Sequence, residues 1–73
     1  MDDKAVRNLF SMRLSAFLKN RGTSQCRFAK SIGVSESTVS AYAKGQRLPG
    51  YNVLRDICRE TGVSADWWLG LVR

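Results

Sequence analysis

Apolar residues at Val6, Leu9, Phe10, Leu14, Phe17 and Leu18 recur at steps of three and four, the spacing with which a helix buries one face. The pattern predicts a first helix from about Lys4 to Asn20, ending near Gly22, a residue that readily takes the left-handed conformation closing helices. Thr23 and Ser24 compete to cap the next helix, because a short hydroxyl accepts hydrogen bonds from the free amides of a first turn. Phe28, Ala29 and Ile32 give that second helix a buried stripe, with room for about two turns.

The stretch SIGVSESTVS, residues 31–40, then breaks the helix and restarts it with a row of short polar side chains. Gly33 supplies the reversal, Val34 plugs the corner, and Ser35 offers its hydroxyl as the cap of a third helix. Val39 and Tyr42 are expected to point inward there, leaving Glu36, Ser37, Ser40 and Ala41 outside. Gly45 stops the helix, and Pro49 in GQRLPG forbids a simple continuation. Val53, Leu54, Ile57 and Cys58 form the apolar face of a fourth helix closed by Gly62, and Ser64 caps a short fifth one carrying Trp67, Trp68 and Leu69. No alternating strand pattern, internal repeat or low-complexity segment competes. The expected fold is all-α: five short helices in one compact domain spanning 1–73. Adjacent aromatics on a short helix cannot point the same way, so Trp67 is assigned to the core, with Trp68 and Leu71 left open to solvent or a partner.

A chain of 73 residues supports one modest core and no deep enclosed cleft, so function is expected on its surface. Twelve Lys and Arg against six Asp and Glu give a formal charge of +6, and the excess is regional. From Lys4 to Arg47 the cations Lys4, Arg7, Arg13, Lys19, Arg21, Arg27, Lys30, Lys44 and Arg47 face Glu36 alone, whereas beyond Arg47 the charges cancel. Such a distribution suits a polyanion approaching one side. Cys26 and Cys58 fall inside helical patterns and read as small buried hydrophobes. With no His and no Cys-x-x-Cys, neither a metal site nor a cofactor site is expected. Nor is catalysis: there is no phosphate-cradling glycine loop, Asp56 and Glu60 lie among Arg55 and Arg59 as a solvated face, and the serines have no evident base beside them. No apolar run approaches the roughly 18 residues of a membrane span, nor does a signal-like segment follow Met-Asp-Asp-Lys, so a cytoplasmic protein is expected.

Two short helices joined by a tight glycine turn make a helix-turn-helix, here at about residues 24–44. The major groove of B-DNA, about 12 Å wide, admits one helix. A helix whose apolar side anchors it, and whose outward side carries short polar groups, can bring those groups to base edges and phosphates.

The run SQCRFAKSIGVSESTVSAYAKGQRLP, followed by LRDICRETGVSADWWLG, resembles the lambda-repressor-like helix-turn-helix family of phage repressors, Cro-type proteins and small bacterial regulators. The resemblance rests on Gln25, Ala29, Gly33, Val34, Thr38, Val39, Gly45 and Pro49 in register, and on GVS before a terminal apolar helix, and covers about residues 13–70. It implies a DNA-binding regulator whose third helix reads the major groove of an operator while the second spans the backbone. Carried over residue by residue, the base-facing positions are Glu36, Ser37, Ser40 and Ala41, and the phosphate-facing ones Gln25, Arg27, Lys30, Lys44 and Arg47. Glu36 stands where glutamine or a basic residue is more usual, and suits the cytosine N4 donor; Ala41 offers only an apolar contact, as to a thymine methyl.

So few specific donors leave two readings open. Either the operator is read partly through DNA shape, or the surface serves a modulator or antirepressor that binds a partner repressor protein, with Glu36, Trp68 and Leu71 as interface candidates. A twofold homodimer on a palindromic site is the expected form for tight operator binding, since it sets two recognition helices about 34 Å apart.

Overall fold

The computed structural model describes residues 3–71. Five helices follow in order: α1 (Asp3–Arg21), α2 (Gln25–Ile32), α3 (Glu36–Ala43), α4 (Tyr51–Thr61) and α5 (Ala65–Trp68). No strand occurs among the described residues, and the all-α expectation holds. α1 packs on α3 and α5, α2 packs on α3 and α4, and α4 closes on α5.

The core is built from the predicted stripes. Phe10, Leu14 and Leu18 of α1 meet Phe28, Ala29 and Ile32 of α2, Val39 and Tyr42 of α3, Ile57 of α4 and Trp68 of α5. Its aromatic centre is Trp68, with ring centroids 5.5 Å from Phe10 and 5.6 Å from Phe17. Phe10 in turn meets Tyr42 edge-to-face at 6.0 Å, the arrangement that the ring quadrupoles favour.

The turns are set by local hydrogen bonding. Ser24, Ser35 and Ser64 all cap as expected, their hydroxyls accepting from the amides of Arg27, Thr38 and Trp67. At the break between α2 and α3, Gly33 has φ 75°, while Val34 N–H donates to the Ala29 carbonyl at 3.0 Å. This six-to-one bond with a left-handed glycine is the Schellman closure, and it folds Val34 back against the core.

Three burial assignments are corrected. Trp68, expected outside, is fully buried, whereas Trp67, expected inside, is only partly so and lies beneath the Arg13 guanidinium at 4.8 Å. With Ser64 as the cap of α5, Val63 occupies the position before the cap and Trp68 the fourth helical position, the pair that an apolar staple brings inward. Arg13 also donates to the Trp67 carbonyl. Leu71 is 71% exposed, as expected. Cys26 is also exposed rather than buried, because it precedes Phe28 by two residues and so turns away from the stripe of α2. Cys58 is half-buried.

Candidate nucleic-acid interface

α3 is fastened from beneath and open above. Val39 and Tyr42 are buried, Glu36 and Ser37 are exposed, and Ser40 and Ala41 are half-buried at the edge of the same outward face. The four predicted base-facing residues are thus brought together, as their spacing requires.

The leading turn of α3 is a small hydroxyl network. Ser35 Oγ accepts from the Thr38 amide at 3.2 Å and lies 2.8 Å from Thr38 Oγ1 and 3.0 Å from Ser37 Oγ. One cap therefore satisfies a free amide and restrains the Ser37 hydroxyl on the exposed surface.

The predicted phosphate-facing residues divide into two groups. Lys44 and Arg47 are exposed at the end of α3 and in the loop that follows it. Arg47 also acts on Tyr42: burial pushes the phenol above its ordinary range, and the nearby guanidinium partly opposes the shift. Gln25 is half-buried at the first position of α2. Arg27 and Lys30, both exposed, border shallow depressions that they share with Glu60 of α4, so they lie on the flank of α2 that looks toward α4.

The structure also narrows the cationic side. Arg7 donates to the Gly45 carbonyl, Arg13 to the Trp67 carbonyl, and Arg21 stacks on Phe17 at 4.8 Å. Three cations counted in the regional excess are thus engaged within the fold. Two further features lie outside the residues singled out from the sequence. Ser11 donates to the Ala43 carbonyl at the end of α3, and Tyr51, 94% exposed, opens α4 directly after the loop. For Tyr51 the signal was present in the sequence, as an aromatic at a helix start outside the stripe Val53–Leu54–Ile57.

The helix-turn-helix family pattern matches residues 14–68, enclosing α2, the turn and α3. The chain belongs to the lambda-repressor-like helix-turn-helix family. Membership of this family implies that the domain binds DNA. A relative from Bacillus subtilis (strain 168), named as the uncharacterized HTH-type transcriptional regulator YazB, is 34% identical over 58 residues, covering 80% of this chain and 84% of that protein. No solved structure matches. The matched segment begins at Leu14, so the turn of α1 from Arg7 to Ser11 that reaches α3 lies outside the family pattern.

Proposed function

We propose that this protein is a transcriptional regulator of the repressor or Cro type, which sets the outward face of α3 into the major groove of an operator and obstructs transcription. The observation that carries the reading is the construction of α3. Val39 and Tyr42 fix it to the core, Ser35 orders its first turn, and short polar side chains stand between that turn and the exposed cations Lys44 and Arg47. Glu36, Ser37, Ser40 and Ala41 meet base edges, with Glu36 accepting from cytosine N4. Gln25, Lys44 and Arg47 meet phosphates, and Arg27 and Lys30 add attraction from α2. Tyr51, exposed at the start of α4, adds a further phosphate donor, since a tyrosine hydroxyl donates to phosphate oxygens. A twofold dimer on a palindromic operator gives the affinity that a single short recognition helix lacks.

The direct test titrates the protein against an operator-bearing fragment from its own genomic neighbourhood and against random duplex at two salt concentrations. Selective binding that survives the higher salt supports the reading; weak binding to both, erased by salt, sinks it.

A second reading has an observation of its own. An open cleft of about 300 Å³, lined by Ala16, Phe17, Val63 and Trp67 among others, lies away from α3, and Leu71 is exposed nearby in sequence. Those features support a protein partner such as another repressor, bound through this cleft and the C-terminal aromatic segment. Loss of that partner's binding on Trp67→Ala, with DNA binding intact, is its signature.

A further inference from the structure

A helix ends with its last four carbonyls lacking helical partners, and α3 has a complete set of substitutes for them. The Ser40 carbonyl accepts from Lys44 N–H at 3.0 Å, that of Ala41 from Gln46 N–H at 3.0 Å, and that of Tyr42 from Gly45 N–H at 3.1 Å. The fourth carbonyl and one just beyond the helix are taken by α1: Ser11 Oγ donates to the Ala43 carbonyl, and Arg7 Nε donates to the Gly45 carbonyl at 3.3 Å. The approach is close. A Cβ on Gly45, whose φ is +73°, would stand 3.0 Å from Asn8 Oδ1 and 3.7 Å from Ser11 Cβ. Phe10, between these donors, meets the ring of Tyr42. One turn of α1 thus grips the end of α3 by its backbone, with an arginine charge at the negative end of the helix dipole.

We infer that Arg7 and Ser11 are positioning residues for sequence reading by α3. They act through main-chain carbonyls, fixing the angle at which α3 lies on the domain and the distance from its base-facing side chains to Lys44 and Arg47. Base-edge hydrogen bonds fail within a few tenths of an ångström or modest misalignment, whereas long cationic side chains readjust to phosphates. Loosening the grip therefore costs discrimination among sequences more than it costs general affinity. The inference rests on the proposed reading of DNA by α3.

The experiment compares the full chain with Arg7→Gln, Ser11→Ala, the double variant and Arg7→Lys. Native-state exchange of the Lys44, Gly45 and Gln46 amides is read against those of α4, and binding to the operator fragment and to random duplex is read across salt. In the double variant, exchange at the end of α3 speeds up about tenfold while α4 is unchanged, the signature of a local opening. The ratio of operator to random binding falls roughly five- to tenfold, the scale of a weakened base contact, with the salt slope intact. Arg7→Lys, which can still donate to Gly45, keeps most of both. A salt slope reduced by about one with the ratio unchanged would overturn the inference and make Arg7 a phosphate contact. Faster exchange throughout all helices would overturn it in favour of general stabilisation, and unchanged exchange and ratio would leave the two bonds without a role. If the wild-type chain itself shows no preference for the operator fragment, the reading of α3 fails separately, because the exchange comparison needs no DNA.

Discussion

The hydroxyl of Ser35 caps α3 through the amide of Thr38 at 3.2 Å and meets the hydroxyl of the same residue at 2.8 Å. Two bonds to one residue tie the turn to the helix that follows it. Ser35→Ala removes both, and a lost serine cap costs about 1 kcal/mol. For a domain of this size that lowers the melting midpoint by roughly 4–8 °C. Ser35→Asn, which restores a capping oxygen, recovers most of it, and thermal melts of the two variants decide the matter.

The two tryptophans should separate cleanly in denaturant. Trp68→Ala leaves a large cavity among Phe10, Phe17 and Tyr42's neighbours and costs about 3–5 kcal/mol. Trp67→Ala costs less, since that ring is only half-buried and loses its stack with Arg13 and its edge contact with Trp68 at 4.9 Å. Trp68 Nε1 is buried without a hydrogen-bond partner, so Trp68→Phe sheds an unsatisfied donor together with some packing and falls well short of the alanine penalty. Urea midpoints in which Trp67→Ala proves the costlier change would contradict the core described here.

Phosphate and base contacts are distinguishable by salt. Lys44→Ala weakens binding to all duplexes alike and reduces the salt slope by about one. Ser37→Ala leaves the slope and shifts the order of preference among sequences. Titrations in which the two variants behave identically on specific and random DNA would rule out this division of labour.

Tyr42 gives the fold an alkaline limit. Burial raises the phenol pKa in the folded state, with Arg47 partly opposing it. A folded pKa above the unfolded one means that this contribution is whole at neutral pH and below. It is lost as pH climbs from the unfolded pKa through the folded one, because the unfolded chain releases the proton first. Tyr42→Phe should therefore show a smaller loss of stability than wild type as pH rises above about 10, the ordinary value for a phenol. Denaturant midpoints measured across that rise provide the check.

Local rules reached most of this molecule. Gly33, Ser35 and the stripe Phe28–Ala29–Ile32 are satisfied within a few residues of chain, and the face Glu36–Ser37–Ser40–Ala41 follows from helical period once Val39 and Tyr42 are anchored. What escaped depends on rotation or distance in space. The orientation of the four-residue α5 decides between Trp67 and Trp68, and a single turn has no stripe from which to read it. Arg7 counted only as one more cation and Ser11 carried no signal, because their partners are backbone carbonyls 38 and 32 residues away. The overall charge could not reveal that Arg13 and Arg21 spend their faces on Trp67 and Phe17.

The approach of Gly45 to Asn8 also bears on where this reading head begins. A fragment cut at Leu14, the first residue of the family pattern, would keep the whole helix-turn-helix yet lose the turn on which its far end rests, along with Phe10. Such a piece would carry every recognisable letter of the motif without the two bonds from Arg7 and Ser11 to the end of α3. The portable unit for grafting or expression starts at the head of α1, and a swap of reading heads between relatives has to carry α1 and α3 across as a matched pair.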